Sequence, residues 1–216
     1  MKILIIDNYD SFTYNLVHLV QSITNQKVEV KRNDEFEIDE AEKYDKILLS
    51  PGPGIPDEAG KLKELIKKYA SAKSIFGVCL GLQAIAEVFG GSLINIEEVY
   101  HGIATEIKVV EKNSLFKNIP EKFLGGRYHS WIVAKDGLPE CFDITAEDLH
   151  GNIMALTHRT YDVCGVQFHP ESVLTEYGAQ IIGNWLFKDN PNKLNLPSNS
   201  SEEYEIKNLK SNLLFC

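Results

Sequence analysis

The sequence predicts an α/β fold: an open, mostly parallel twisted sheet with flanking helices, plus a small mixed or antiparallel β region. Three observations predict it. Short apolar runs alternate with segments of helical period from residue 2 to residue 89, as parallel strands joined by crossover helices do. The stretch Gly77-Val78-Cys79-Leu80-Gly81 sits where one such strand passes into a helix. Beyond residue 92 the helical period gives way to short alternating segments of hairpin type. A chain of 216 residues suits one such domain, burying roughly 70% of its unfolded surface, and is short for two.

The elements follow in order. Lys2 to Ile6 reads as a buried strand. Ser11 to Ser22 places Phe12, Leu16, Leu19, Val20 and Ile23 near helical spacing, with Asp10 or Ser11 available as a cap. Lys27 to Lys31 alternates Val28 and Val30 with charges, as a strand does. Tyr44 to Ser50 is a further strand, ending abruptly in Pro51-Gly52-Pro53-Gly54. Asp57 to Ala70 is helical, with Leu62, Leu65, Ile66 and Tyr69 on one stripe. Ser74 to Val78 is a strand, and Leu80 to Phe89 a helix stopped by Gly90-Gly91. Thr105 to Val110, Ser130 to Val133, Cys141 to Ala146 and Ile153 to Leu156 are short strands. Gly165 to Phe168 is the final strand and Glu176 to Phe187 the closing helix. These elements make residues 1–188 one domain. Residues 189–216 form a polar tail rich in Asn and Ser, in which Ile206, Leu209 and Leu213 read either as a short docked helix or as a frayed end.

Composition narrows the function. Apolar residues are 44% and charged residues 25% of the chain, which excludes disorder throughout. A net charge of −9 argues against non-specific nucleic-acid binding, which needs a cationic face. No apolar run approaches the ~20 residues that span a bilayer, and the N-terminus reads as a strand rather than a signal peptide. Cys79, Cys141, Cys164 and Cys216 form no C-x-x-C pair, so they read as reduced thiols, and the Cys and His spacings fit no zinc pattern. The expectation is a cytoplasmic protein with no metal site and no cofactor in this chain.

The chemistry concentrates at Cys79. A glycine–nucleophile–glycine stretch at a strand-to-helix junction is a nucleophile elbow, too tight for side chains at the flanking positions. It exposes Cys79 at the C-terminal edge of the sheet, where open α/β folds bind ligands. The helix N-terminus behind it favours a thiolate and aims backbone N–H groups at a developing oxyanion. A cysteine packed inertly in a core strand is the alternative, and the two glycines speak against it. A base is needed, and Gly165-Val166-Gln167-Phe168-His169-Pro170-Glu171 supplies one. His169 falls at a strand end, and Glu171, two residues on, projects to the same side of an extended chain. Cys79, His169 and Glu171 then form a triad by the general nucleophile–base–orienter logic. The Ser50-Pro51-Gly52-Pro53-Gly54 loop reads equally as a turn or as part of the site, since it ends a strand neighbouring the elbow.

These motifs, together with Asp7-Asn8-Tyr9-Asp10-Ser11-Phe12, Gln83 and Arg127-Tyr128-His129-Ser130, resemble the class I (triad) glutamine amidotransferases over residues 1–188. The resemblance is closest to the glutaminase subunits (component II) of anthranilate synthase and aminodeoxychorismate synthase. It implies that Cys79 attacks the side-chain amide of glutamine, with His169 moving protons and Glu171 orienting it. It also implies that Leu80 and the loop Gly52, Pro53 and Gly54 serve the oxyanion and substrate. Gln83 and the Ser130-Trp131 backbone then hold the α-amino and α-carboxylate groups. Leu82 stands where this subfamily usually has His, Ile103 where many members have Lys, and Trp131 where Leu is commoner.

The resemblance further implies a separate synthase chain that binds chorismate and Mg²⁺ and receives the ammonia. Anthranilate synthase, in tryptophan biosynthesis, is the leading assignment. Aminodeoxychorismate synthase, in folate biosynthesis, or one glutaminase shared by both is the alternative. A stand-alone cysteine hydrolase of similar fold is a more distant one, and the SPGPG loop and Arg127–Ser130 stretch argue against it.

Overall fold

The computed structural model describes residues 1–97, 99–191 and 194. Its backbone is organised by strands that are apolar on both faces. In β1 (Ile3–Asp7), Ile3 and Ile5 join one core while Leu4 and Ile6 join the other, as a strand covered on both sides requires. β3 (Lys46–Leu49) and β4 (Ser74–Val78) repeat the pattern. β2 (Glu29–Arg32), at the sheet edge, is largely exposed.

One core is covered by α1 (Thr13–Thr24) and α4 (Gly178–Leu186), through Leu16, Val20, Ile181 and Trp185. The opposite core is covered by α2 (Leu62–Tyr69) and α3 (Leu80–Val88), through Leu62, Leu65, Ile66 and Ile85. Five parallel strands therefore lie between two helical layers. The fifth is β11 (Val163–Val166), which pairs in parallel with β4 so that Val166 lies opposite Val78. That register brings residues 88 positions apart in sequence, Cys79 and Gln167, side by side.

The antiparallel strands continue the same sheet. β10 (Ile153–His158), β9 (Phe142–Asp148), β6 (Ile103–Val109) and β7 (Lys122–Arg127) follow β11 in that spatial order, giving nine strands in all. β5 (Leu93–Asn95) and β8 (Trp131–Val133) form a separate two-stranded ribbon. None of the described helices is long and apolar enough to cross a membrane. The tail beyond residue 194, with its Ile206–Leu213 spacing, lies outside the described residues.

Several elements differ from expectation for physical reasons. The helix expected from Asp57 is a short 3-10 turn at Pro56–Glu58, and α2 begins only at Leu62. Between them Gly60 adopts φ +53°, and a Cβ there would lie 2.9 Å from the Asn33 carbonyl oxygen. The first residue of α1 follows Phe12, and neither Asp10 nor Ser11 caps the helix. Asp10 instead accepts the Phe12 N–H in a preceding Asx turn. The last strand runs Val163–Val166, so His169 lies three residues past it, after a bend at Gln167 and Phe168, rather than at its end. β7 was hidden by Gly125 and Gly126, weak strand formers. Here they admit Phe168 and Ser172 close across the strand.

Replacing Gly165 by Ala tests the strand packing, because its Cβ would sit 2.5 Å from the Gly77 carbonyl oxygen. The expected outcome of Gly165→Ala is a loss of about 1–3 kcal/mol, read as a lower urea midpoint. An unchanged midpoint would contradict this packing.

Candidate active site

Cys79 occupies the turn between β4 and α3 with φ +51° and ψ −103°, a conformation that L-residues adopt only when the surroundings impose it. The imposing contacts are identifiable. The Cys79 N–H donates to the Val166 carbonyl at 2.8 Å. A Cβ on Gly77 would lie 2.4 Å from the Gly81 carbonyl carbon, and one on Gly81 would lie 2.6 Å from the Leu49 carbonyl oxygen. The elbow is therefore as tight as its glycines indicated. Its sulfur sits at the N-terminus of α3, largely buried.

His169 reaches the same place from the segment after β11. Its backbone N–H donates to the Gly126 carbonyl at 2.9 Å, fixing the bend to β7. Its Nδ1 lies 2.8 Å from Glu171 Oε1, with both side chains almost wholly buried. Phe12 and Tyr128 pack on the ring at centroid distances of 5.4 and 4.8 Å, and Tyr128 Oη shares a hydrogen bond with Ser172 Oγ. Burial opposes charge on this ring, but Glu171 and Cys79 outweigh it and hold the imidazole pKa well above its usual 6.5. Nε2 is buried without a well-formed hydrogen bond among the described residues. Cys79 acts on the ring both as a hydrogen-bonding partner and through its charge.

The Ser50–Gly54 loop is fastened to the β1 end. Asn8 donates its backbone N–H to Ser50 Oγ at 2.9 Å and its side-chain amide to the Ser50 carbonyl at 2.7 Å. Gly52 lies so close to Asn8 and Leu80 that a Cβ would meet either at 2.6 Å. The loop is accordingly held against the first residue of α3, with Pro53 and Gly54 exposed. A cavity of about 180 Å³ opens beside it, lined by Asn8, Tyr9, Pro53 and Leu80 among others. A larger one, about 550 Å³ between Val109 and Glu121, shares no residue with this region.

Gln83, one turn into α3, donates its side-chain amide to the Trp131 carbonyl at 2.8 Å and to Gln167 Oε1 at 3.3 Å. Ser130 and Trp131 are steadied at the backbone, the Ser130 carbonyl accepting the Ile96 N–H at 2.8 Å. Cys79, His169, Glu171, Gly52, Leu80, Gln83 and Trp131 therefore converge at one edge of the sheet. Leu82 is fully buried in the core between α3 and the sheet, and Ile103 lies half-exposed at the start of β6.

Other parts of the site carried little sequence signal. Gln167 donates to Cys79 Sγ at 3.4 Å. Arg127 is 1% exposed. It pairs with Asp148 at 2.8 Å, donates to His129 Nε2 at 3.1 Å and stacks over the Tyr100 ring. Burial works against the Asp148 charge, but bonds from Asn152 and His150 and the Arg127 guanidinium hold its pKa below the usual carboxylate value. The Arg127–Asp148 and Gln167–Cys79 pairs join residues 21 and 88 positions apart, which sequence spacing does not reveal.

Comparison with known proteins adds independent findings. A family model described as glutamine amidotransferase class-I matches residues 4–189. The chain is 46% identical over 186 residues to the aminodeoxychorismate/anthranilate synthase component 2 of Bacillus subtilis, covering 85% of this chain and 95% of that one. It is 44% identical to the aminodeoxychorismate synthase component 2 of Escherichia coli, covering 86% of this chain and all of that one. Among solved structures, that of a GMP synthase subunit from Thermoplasma acidophilum aligns with a TM-score of 0.75 at 26% identity. It covers 86% of this chain and 92% of that one.

The buried imidazole of His129 makes the fold acid-sensitive. Burial, then the charges of Arg127 and His169, push its pKa down to about 3. The unfolded chain binds this proton near pH 6.5 and the folded chain does not, so stability is full above pH 6.5 and falls as acid is added. Between pH 7.5 and 5 this one group costs about 2 kcal/mol. Urea unfolding of wild type and His129→Asn at both pH values should show that difference shrinking in the variant. An equal pH dependence in both would refute it.

Proposed function

The chain belongs to the class-I glutamine amidotransferases, and from that membership we propose a mechanism, a partner and a pathway. Within the class it is a glutaminase subunit of the anthranilate/aminodeoxychorismate synthase family. In our reading Cys79, His169 and Glu171 form its catalytic triad. The observation that carries this is the buried Glu171–His169 pair at 2.8 Å, in which Glu171 and Cys79 together raise the imidazole pKa.

The Cys79 thiolate attacks the side-chain carbonyl carbon of L-glutamine, forming a C–S bond and placing negative charge on the oxygen. Backbone N–H groups of Leu80 and of the loop at Gly52, Pro53 and Gly54 serve that oxygen, with Pro53 contributing only its rigid place in the loop. The charge is stabilised there in a site that needs no reorganisation. His169 gives its proton to the leaving nitrogen, the C–N bond breaks, and ammonia departs from a γ-glutamyl thioester. Water then attacks the thioester, His169 takes its proton, and the C–S bond breaks to give glutamate and the thiolate. Glu171 keeps the ring aimed and balances its charge throughout. Gln83 and the Ser130-Trp131 backbone hold the α-amino and α-carboxylate groups. These steps call on no metal in the chain.

Ammonia is mostly protonated at neutral pH and is then no nucleophile, so a glutaminase of this kind delivers it directly to a synthase. We assign as partner a chorismate-binding, Mg²⁺-using synthase chain, and as pathway tryptophan biosynthesis through anthranilate. The Bacillus subtilis relative carries both synthase names, which favours a second reading in which the chain serves aminodeoxychorismate synthesis alone or as well.

Glutamine hydrolysis by the full chain should be low alone and rise strongly with a cognate synthase chain. Cys79→Ser should lower the activated rate by roughly 10³-fold or more. Wild-type activity in that variant would remove the mechanism. Product analysis with chorismate and glutamine separates the pathways: anthranilate supports the first, and aminodeoxychorismate alone supports the second.

A further inference from the structure

We propose that Gln167 is a positioning residue for the nucleophile: its side-chain amide, aimed by Gln83, donates to the Cys79 sulfur and connects that sulfur to the Trp131 carbonyl. This deepens the glutaminase reading and rests on it.

The direction of the chain of bonds is fixed at its far end. A backbone carbonyl only accepts, so Gln83 must turn its NH₂ group toward Trp131, 2.8 Å away. The same NH₂ group reaches Gln167 Oε1 at 3.3 Å. Gln167 therefore presents its oxygen to Gln83 and its own NH₂ group to Cys79 Sγ, at 3.4 Å. Neither amide can flip without pairing two donors or two acceptors. Gln167 is fully buried and Gln83 only 2% exposed, so each amide needs these partners. Phe168 and Val166, on either side of Gln167, belong to the apolar core, yet this position carries a polar side chain.

An N–H aimed at sulfur favours the anionic form over the neutral thiol, because a hydrogen bond to a charged acceptor is about twice as strong as a neutral one. The ionisable group coupled to the sulfur is His169, with Glu171 behind it, and His129 is coupled in turn to His169. Gln167 is a neutral donor approaching from β11. It orients the sulfur without adding charge. The chain of bonds begins at the carbonyl of Trp131, in the stretch assigned to the substrate's α-groups. A shift there alters the aim of Gln83 and reaches the nucleophile through two hydrogen bonds.

The test compares wild type, Gln167→Met, which keeps volume and loses the donor, and Gln83→Met, which leaves Gln167 in place without its aim. Cys79 alkylation by iodoacetamide is followed by peptide mapping of the full chain across pH, and kcat and KM for glutamine are measured with the synthase chain present. Gln167→Met should slow alkylation near neutral pH and lower kcat by roughly tenfold or more, with the alkylation rate recovering at high pH. Gln83→Met should show the same alkylation defect in smaller degree. Wild-type alkylation profiles in both variants would overturn the proposal, as would slowing by one factor at every pH, which marks a merely structural role. Should Gln167→Met fail to fold, the Gln83→Met profile decides alone. If Cys79→Ser retains glutaminase activity, the triad reading itself fails, an outcome distinct from loss of the relay alone.

Discussion

One hydrogen bond, from the Cys79 amide to the Val166 carbonyl, ties the turn that presents the sulfur to the strand that leads to His169. It forms only because three chain segments pass at backbone distance. Gly77, Gly81 and Gly165 stand where β4, α3 and β11 meet, and a methyl group on any of them would lie within about 2.6 Å of a neighbouring backbone atom. The positive φ of Cys79 follows from this crowding. Strain of that kind costs of order 1–3 kcal/mol and persists where the surroundings over-determine it. Here they do so through the parallel register of β4 and β11.

Much of this was legible in the sequence because the signals were local. The elbow is five consecutive residues, and the His169–Glu171 pair is two residues apart. The buried strands read directly as apolar runs. What was missed depends on distant partners. Gly60 separates Asp57 from the apolar stripe that starts at Leu62, and the close approach of Asn33 that marks the break comes from a distant turn. β7 contains two glycines that make sense only beside Phe168 and Ser172. Gln167 has a neutral side chain in a motif already explained by its histidine, so its role emerges only when Gln83 and Cys79 are seen together. The tail beyond residue 194 stays an expectation.

Behind the reactive groups lies a second set of buried polar residues. Arg127, Asp148 and His129 interlock beneath the Ser130-Trp131 stretch, and Asn8 joins the Ser50 loop to the β1 end. Buried ion pairs of this type add little net stability but are costly to break on one side. Their effect is to leave the backbone they support few alternative positions. The proposed site, which would present several backbone groups to one small molecule, depends on that restriction.

The imidazole of His169 is bonded to Glu171 at one nitrogen and hemmed in by Phe12 and Tyr128. Turning the ring over would break a charge-assisted bond and push both aromatics aside. The remaining nitrogen is consequently a single gate. Every proton entering or leaving must use the same point in space, so two molecules exchanging protons with this ring have to take turns there. In the proposed reaction the departing nitrogen vacates the spot before an incoming water occupies it, and that order follows from the immobility of one heterocycle.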